Sequence, residues 1–263
     1  MRRAAPLLLV LASCWNGSGS DYMKQPLVPD EERASLEYTR PQGPNVQRRS
    51  HTIGQPPQKE ERDRTGGGGR VLGMWRNTYY DFPREADHTG DLVSLMNASC
   101  EPIGKVPKGF HDAVCVQGSG SLKRGGTVSF AKRDCACAEL CPRTNQKICF
   151  DALDPAAFPW GRGASGKAIA PLRSVAADLS VVPMGAVLYI SELDGVPRGE
   201  GPNDGASDGC FVVEDKGLKV QGQHVDIFTG HPSQTARLER TLPSNQGVTV
   251  VVDAPKCAHL AKR

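Results

Sequence analysis

Residues 210–230 read CFVVEDKGLKVQGQHVDIFTG, and this stretch decides the fold class. Two apolar and β-branched runs, Cys210 to Glu214 and Gln223 to Phe228, flank a polar segment that contains glycine, which predicts two β-strands and a turn. Similar runs recur elsewhere between turn residues: Leu72 to Tyr80, Thr127 to Ala131, Ser174 to Ala177, Ala186 to Ile190 and Val248 to Val252. Only Pro232 to Arg240 fits a short helix. The sequence therefore predicts a mainly β domain, a barrel or a sandwich, over residues 71–263.

Three aspartates and a histidine accompany these predicted strands. Asp215 ends an apolar run, His224 and Asp226 share one face of a strand, and Asp178 lies upstream in VAADLSVVPMGAVLYI. Ionised carboxylates are costly to bury, because an apolar environment favours the neutral acid, so their presence here indicates a function. Two glycines between Asp215 and Asp226 allow a tight turn that would bring both acids to one site.

The same aspartates are also compatible with a structural role or a metal site. A single aspartate beside glycine commonly accepts backbone hydrogen bonds in a turn, although three in this arrangement favour a site. A metal site of His224 with the three aspartates is the second alternative, but a histidine and an aspartate two apart are common in a strand and no further histidine lies close in sequence. We therefore expect no metal and no other cofactor.

Nine cysteines indicate export, because a cytosolic chain of this length rarely carries so many unless they hold metal. Six of them lie between residues 100 and 149, a stretch weak in core-forming residues, where cross-links are most useful. A four-thiolate zinc site at positions 135, 137, 141 and 149 is the rival interpretation, with an irregular spacing, and a catalytic thiol is the third. We expect Cys210 to pair with Cys257. The eight candidates for disulfides are Cys100, Cys115, Cys135, Cys137, Cys141, Cys149, Cys210 and Cys257.

Residues 1–14, MRRAAPLLLVLASC, have the features of an export signal, with two arginines before a short apolar run. Leu11-Ala12-Ser13-Cys14 resembles the lipobox of bacterial lipoproteins, which implies that Cys14 is lipidated; an ordinary cleaved signal is the alternative. The next residues lack the aspartate that retains such lipoproteins at the inner membrane. The expected location is therefore the outer membrane, facing the periplasm, with secretion as the alternative.

The composition of residues 15–70 predicts a disordered tether, because Gly, Pro, Ser, Gln and charged residues dominate it without an apolar period. The 263 residues carry 32 basic and 29 acidic side chains, a net charge of +3 that is too balanced for a nucleic-acid-binding protein. Contact with the membrane is expected through the lipid anchor only, because a membrane span needs roughly 20 apolar residues. A monomer is the default expectation.

Four blocks of the chain resemble the three-aspartate (3D) domain, which forms the catalytic core of the membrane-bound lytic transglycosylase A family. They are RNTYY at 76–80, VAAD with VPMG at 175–185, VEDKG at 213–217 and GQHVDI at 222–227. The resemblance covers residues 72–252 and implies a double-psi β-barrel. It also implies that Asp226 is the catalytic acid, that Asp215 and Asp178 line or support the same groove, and that peptidoglycan glycan strands are the partner.

Two departures from the family pattern matter. Lys216 and Leu218 replace residues of the usual Asp-Thr-Gly-Gly sequence, so a cation stands beside Asp215. The family's large second domain, the other wall of its groove, is not evident, and a cysteine-rich insertion at about residues 94–163 stands in its place. With Asp226 and Asp215 as catalytic candidates, the candidates for substrate contact are Asp178, Lys216, His224 and Tyr80.

The resemblance implies lytic cleavage of the β-1,4 bond between N-acetylmuramic acid and N-acetylglucosamine by one aspartate; a hydrolase is the second reaction considered. Asp226 would have to be protonated near neutral pH, and burial beside Val225 and Ile227 together with repulsion from Asp215 would raise its pKa. The alternative function is a non-catalytic wall-binding module of the expansin type. Few aromatic residues could stack on sugars there: Trp75, Tyr79, Tyr80 and Trp160.

Overall fold

A computed structural model describes residues 63–199 and 205–261. The predicted signal, the lipidation candidate Cys14 and residues 15–62 of the predicted tether lie outside these residues. The strands, numbered along the chain, are β1 (Arg70–Asp81), β2 (Leu92–Met96), β3 (Pro102–Pro107), β4 (Ser119–Ser121), β5 (Thr127–Lys132), β6 (Leu140–Cys141), β7 (Gln146–Lys147), β8 (Cys149–Leu153), β9 (Ser174–Ala177), β10 (Val187–Pro197), β11 (Ala206–Asp215), β12 (His224–Gly230) and β13 (Val248–Val252).

Six strands close into a barrel in the order β1-β12-β9-β11-β10-β13. The pairs β1–β12 and β9–β11 are parallel, and the other four pairs are antiparallel. This closed, mixed barrel confirms the predicted double-psi fold class. Every barrel strand was predicted from its apolar run, and β9 and β13 have the predicted bounds.

Alternating side chains of the barrel strands fill its interior. Val225 and Ile227 of β12 and Val213 of β11 are fully buried there, as is Trp75 of β1, which is 1% exposed. Residues between them on the same strands point away from this core. Some of these, such as Phe228 with Tyr80 and Val251 with Tyr189, pack in smaller hydrophobic clusters, and others are polar.

Helix α2 (Pro232–Thr241) follows β12 directly and packs Leu238 against the barrel core. Pro232 is at its first turn, and the ring of the preceding His231 accepts a hydrogen bond from the Ser233 amide, which satisfies one of the free donors of that turn. The short helix predicted at 232–240 is thereby confirmed.

An insertion between β1 and β9 contains β2 to β8 and a second helix, α1 (Lys108–Gln117), that the sequence pattern did not predict. It has a hydrophobic core of its own, built around Phe110, Val114 and Phe150, all fully buried. The expectation that this stretch is weak in core-forming residues is therefore wrong. Its apolar residues are spread over short strands and one helix, so the sequence contains no long periodic run that would indicate this core.

Four disulfides join all eight cysteines of the described residues. Three lie in the insertion, Cys100–Cys137, Cys115–Cys141 and Cys135–Cys149. The fourth, Cys210–Cys257, ties β11 to the carboxyl-terminal segment, as expected. The thiols that a zinc site or a thiol nucleophile would need are thus paired with one another.

Residues 63–69, the end of the predicted tether, contact the barrel. The Gly66 carbonyl accepts a hydrogen bond from the Lys256 amide, and Tyr189 donates its hydroxyl to the Asp63 carbonyl. A Cβ at Gly69 would lie 2.7 Å from the Val252 carbonyl oxygen, so this approach requires glycine. The folded unit thus includes these residues. No helix within 63–199 and 205–261 has the length and apolar character that crossing a membrane requires.

Candidate active site

The parallel pairing of β1 with β12 builds the candidate active site. Its register sets Thr78 opposite Asp226, Arg76 opposite His224 and Tyr80 opposite Phe228. Since Val225 and Ile227 face the core, the residues between them face outward together with their partners on β1. Two segments far apart in sequence therefore supply one row of mostly polar side chains on the outer face of the barrel.

Asp226 is the carboxylic acid of this row. Its Oδ1 lies 2.7 Å from Thr78 Oγ1, and the carboxyl is largely enclosed. Burial raises its pKa from 3.8 to about 6; a hydrogen bond donated by Thr78 and the charge of Arg76 oppose this rise, and the charge of Asp215 adds to it. The predicted direction and the two predicted causes, burial and Asp215, agree with the structure.

Asp215 ends β11 and accepts hydrogen bonds from three directions. Its Oδ1 accepts from the amides of Ala164, at 3.0 Å, and Lys216, at 2.9 Å, and its Oδ2 accepts from the Tyr80 hydroxyl at 3.4 Å. Burial raises the pKa of Asp215, while these donors and the Lys216 charge act in the opposite direction. Asp215 is electrostatically coupled to Asp226, so the structure brings these two predicted acids into one site.

The Ala164 amide belongs to the segment that returns from the insertion to the barrel. This segment lies against the end of β11: the Ser165 amide donates to the Glu214 carbonyl at 3.0 Å, and a Cβ at Gly163 would come within 2.3 Å of that carbonyl oxygen. Trp160, from the same segment, contacts Phe228 of β12. The insertion is thereby connected to one side of the site.

Asp178 follows β9 and holds two loops together. Its Oδ1 accepts from the amide and hydroxyl of Ser180, at 2.9 and 2.7 Å, and its Oδ2 accepts from the Gly222 amide at 2.6 Å. These bonds, those of Ser180 first, lower the pKa of this exposed carboxyl. Gly222 has φ +64°, a conformation that glycine adopts without strain. Asp178 thus has the turn-forming role that was the structural alternative for these aspartates.

His224 and Tyr80, two candidates for substrate contact, are buried. His224 is 4% exposed and its Nε2 lies 2.8 Å from Thr78 Oγ1; Tyr80 is 7% exposed and packs against Phe228. The Tyr80 hydroxyl contacts Asp215, and His224 is linked to Asp226 through Thr78. Lys216 is exposed beside Asp215, so it can reach a bound molecule.

The aromatic residues considered for stacking on sugars mostly face inward. Trp75 is in the barrel core, and Tyr79 donates its hydroxyl to the Leu242 carbonyl at 2.6 Å while its ring packs on that core. Trp160 is half-buried against Phe82 and Phe228. The expectation that Trp75 could stack on a sugar is wrong, because the inward position on β1 takes it into the core.

Sequence reasoning assigned no role to Thr78 or Arg76. Thr78 contacts both Asp226 and His224, and Arg76, whose Nε donates to Asn245 Oδ1 at 2.5 Å, lowers the pKa of both. The signal that could have found them is the alternation of RNTYY at 76–80, which places Arg76, Thr78 and Tyr80 on one face of β1. What the sequence lacks is the register with β12.

Groups of potential metal ligands occur elsewhere in the described residues. They are Cys100 with Cys135 and Cys137, and His111 with Cys115 and Cys141. Every cysteine in them is in a disulfide, and oxidised sulfur does not supply the thiolate that metals bind. The chemistry that the site itself offers is proton transfer by Asp226.

A family model matches the part of the chain that contains the three aspartates. Residues 173–239 match the model of the 3D domain. The 3D-domain match spans β9 to β12 and most of α2, and it contains Asp178, Asp215 and Asp226. No curated protein sequence matches the chain.

Solved structures of lytic transglycosylases are similar to the chain at low identity. MltA of E. coli with bound chitohexaose has 18% identity and a TM-score of 0.48, over 68% of this chain and 71% of that chain. The membrane-bound lytic murein transglycosylase of Agrobacterium tumefaciens has 13% identity and a TM-score of 0.41, over 68% and 73%. MltA of Neisseria gonorrhoeae has 17% identity and a TM-score of 0.37, over 57% and 47%.

Proposed function

We propose that the protein is a lytic transglycosylase that cleaves the β-1,4 bond between N-acetylmuramic acid and N-acetylglucosamine in peptidoglycan, with Asp226 as its single acid and base. The observation that carries the proposal is the Asp226 carboxyl, whose pKa burial raises to about 6 within a segment that matches the 3D domain. Such a carboxyl is substantially protonated at mildly acidic pH and is ionised close to neutrality, so it can both give and take a proton.

In the proposed reaction Asp226 first donates its proton to the glycosidic oxygen, which is a poor leaving group without protonation. The resulting carboxylate then accepts the proton of the muramic acid C6 hydroxyl, whose oxygen attacks the anomeric carbon and closes a 1,6-anhydro ring. The first proton departs with the leaving-group hydroxyl, and the proton of the C6 hydroxyl replaces it on Asp226. No water is consumed.

Asp215 assists the reaction electrostatically rather than as a nucleophile. One of its oxygens accepts two backbone hydrogen bonds and the other accepts the Tyr80 hydroxyl, so the carboxylate is held in place by three donors. Its negative charge favours the protonated form of Asp226. A retaining glycosidase would need a second carboxylate that attacks the anomeric carbon. A hydrolase of either kind would form products with reducing ends.

The test is digestion of purified peptidoglycan by the folded domain, with mass spectrometry of the products. We expect 1,6-anhydromuropeptides from the wild type and a loss of at least about 100-fold in rate for Asp226→Asn, since general acid catalysis contributes about that much or more. Asp91→Asn, which alters an exposed aspartate of the connection between β1 and β2, is the matched control and should retain activity. Products with reducing ends would show that the enzyme is a hydrolase and would overturn this proposal.

The second candidate function is a non-catalytic module that binds the cell wall. The inward positions of Trp75 and Tyr79 count against it, because they leave few aromatic faces on which sugars could stack. Binding of peptidoglycan by the wild type and Asp226→Asn with equal affinity, and without any product, would establish this alternative.

We further propose that the protein is a monomer anchored by lipidated Cys14 to the outer membrane, facing the periplasm. The support is the lipobox-like sequence at 11–14 and the oxidising compartment that four disulfides require. Labelling with a fatty-acid analogue followed by membrane fractionation tests the anchor: the full chain should carry label and sediment with outer membranes, and Cys14→Ser should lose both properties. Light scattering of the soluble domain gives the oligomeric state.

A further inference from the structure

Lys216 is a cation beside the candidate acids whose charged end is not used within the fold. Its backbone amide donates to Asp215 Oδ1 at 2.9 Å, which places the start of its side chain next to that carboxylate. The side chain itself is exposed. Its ammonium group forms no hydrogen bond and no ion pair with any residue of 63–199 or 205–261, and its charge acts on Asp215 only at longer range.

The other two signature carboxylates are also bound by groups other than this lysine. Asp226 accepts a hydrogen bond from Thr78, and Asp178 accepts one from Gly222. An exposed ammonium group stays strongly hydrated, and an exposed ion pair contributes little to stability, so the fold does not require a cation at position 216. The Lys216 ammonium is therefore available to a negative charge on a bound molecule.

The loop that carries Lys216, residues 216–223, is fixed at both ends and within. At its far end the Gln223 carbonyl accepts a hydrogen bond from the Arg76 amide at 2.9 Å. Inside it the Val220 amide donates to the Gly217 carbonyl at 3.1 Å, and the Val220 side chain is buried. The backbone from which Lys216 projects is thus already ordered, which lowers the entropic cost of binding through this side chain.

The proposed substrate brings negative charge to this part of the molecule. Each muramic acid carries a lactyl group on its C3 oxygen. This group ends in a carboxylate when no peptide is attached, and it leads to a peptide with carboxylates of its own when one is. Asp215, and Asp226 when ionised, would repel such a group. A cation beside Asp215 offsets this repulsion and can donate a charge-assisted hydrogen bond to the carboxylate.

We propose that Lys216 is a specificity-determining residue that binds a carboxylate of the lactyl or peptide substituent of muramic acid. The inference rests on the proposed function, because it names the charge that the substrate of that same site carries. The ammonium group donates hydrogen bonds and no covalent bond changes. The site then prefers acidic glycan strands to neutral polymers of N-acetylglucosamine.

Two other roles of Lys216 lead to different results. The charge of Lys216 lowers the pKa of Asp215, so a role through that acid alone would make binding change equally for acidic and neutral glycans when the lysine is removed. A role in surface solvation alone would leave the binding of both kinds of glycan unchanged. Only direct contact with a carboxylate makes the change depend on the charge of the ligand.

The test measures binding without turnover, by calorimetry of the folded domain that carries Asp226→Asn. The ligands are hexasaccharides of alternating N-acetylmuramic acid and N-acetylglucosamine in three forms: with free lactyl carboxylates, with these converted to methyl amides, and with stem peptides. Adding Lys216→Met should weaken binding of a carboxylate form by about tenfold, the lower end of what a hydrogen bond to a charged group contributes, and should not change binding of the amide. A loss with the free acid identifies the lactyl carboxylate as the group bound, and a loss only with the peptide form identifies a peptide carboxylate.

Two further variants control for the charge. Lys216→Arg keeps the cation and should restore the preference for the acidic ligand. Lys256→Met is the matched control, because it removes an exposed lysine that pairs with Asp194, opposite Asp208 and thus at the end of β11 away from Asp215. It should bind all three ligands as its parent does. Added salt should weaken the parent's binding of the acidic ligand more than that of the Lys216→Met variant.

Three binding results would overturn the assignment of Lys216. They are an equal loss of affinity for the acid and the amide, no loss with any of the ligands, and no binding of either carboxylate form by the parent. With Asp226 intact, Lys216→Met should raise KM for acidic glycan and keep kcat, because the cation binds substrate and transition state alike. A lower kcat at unchanged KM would place Lys216 in the chemical step and would also contradict the proposal.

Product analysis separates this inference from the function on which it rests. If the wild type forms no anhydro product while Lys216→Met weakens binding of the carboxylate forms alone, the proposed function is wrong and the role of Lys216 stands. If anhydro product forms and the loss of affinity does not depend on the charge of the ligand, the proposed function stands and the role of Lys216 is wrong.

Discussion

Asp226 and Asp178 respond to their surroundings in opposite ways, although both are near one end of β12. Asp226 is enclosed, with an apolar core behind its strand, and burial raises its pKa to about 6. Asp178 is exposed, accepts three hydrogen bonds, and has a lowered pKa. The same type of side chain thus has a raised pKa in one place and a lowered pKa in the other.

The pH dependence of stability should show this contrast. A raised pKa in the folded state makes protonation stabilising, so the contribution of Asp226 is present below its unfolded pKa of about 3.8 and is lost as the pH rises through about 6. Asp226→Asn should therefore be more stable than the wild type at pH 8, by at most about 3 kcal/mol, and nearly equal to it at pH 4. Urea unfolding at both pH values measures the difference.

Asp178→Asn is the comparison of opposite sign. A lowered pKa contributes stability above the unfolded value and loses it as the pH falls through the folded value. This variant should therefore be less stable than the wild type at pH 8, and the deficit should shrink toward pH 3. If both variants change stability in the same direction at pH 8, the assignment of opposite environments is wrong.

Arg76 gives a prediction for activity. Its charge favours the Asp226 carboxylate, so Arg76→Gln should raise the pKa of Asp226 and extend the active range to higher pH. The pH profile of anhydro-product formation measures this shift. Arg70→Gln, at the first residue of the same strand, is the control and should keep the wild-type pH profile. A shift of the Arg76→Gln profile to lower pH would contradict the electrostatic role.

Strands were easier to predict than their neighbours in space. The runs at 174–177 and 248–252 have the bounds of β9 and β13, because alternation of apolar residues is a local property. The contact between Thr78 and Asp226 spans 148 positions and depends on the parallel register of β1 and β12, which no local pattern encodes. Three signature aspartates could thus be named from the sequence, while Thr78, which donates a hydrogen bond to Asp226, could not.

The segment that leads from the insertion back to β9 depends on a close approach at Gly163. A Cβ there would lie 2.3 Å from the Glu214 carbonyl oxygen, which is backbone and cannot turn aside. Gly163→Ala should push this segment from β11 and break the Ala164 bond to Asp215, at a cost of about 1–3 kcal/mol. We expect it to lose activity at temperatures where the barrel is still folded.

Gly166→Ala is the matched control in the same turn. Nothing lies within 4 Å of a Cβ at this position, and only its φ of +82° opposes the substitution, at a cost of about 1 kcal/mol. Thermal unfolding and product formation should be measured for both variants. If both variants form product at the same rate at a temperature where both are fully folded, the returning segment does not support the site.

The two largest hydrophobic cores of the described residues are stabilised differently. The barrel core is enclosed by a continuous ladder of six strands, whereas the insertion core lies among short strands and one helix and is cross-linked by three disulfides. Each of these cross-links joins residues 14 to 37 apart and is worth about 3 kcal/mol through the entropy of the unfolded chain. The insertion therefore depends on oxidation more than the barrel does.

Reduction under native conditions should therefore unfold the insertion before the barrel. Hydrogen exchange followed by mass spectrometry should show loss of protection in α1 and β5 while β12 and β13 stay protected. Product formation should fall at the same time, because the Ala164 amide that supports Asp215 is in the segment returning from the insertion. A Cys210→Ser/Cys257→Ser variant removes only the barrel disulfide and should leave the insertion protected. Simultaneous loss of protection in both cores would show instead that they unfold as one cooperative unit.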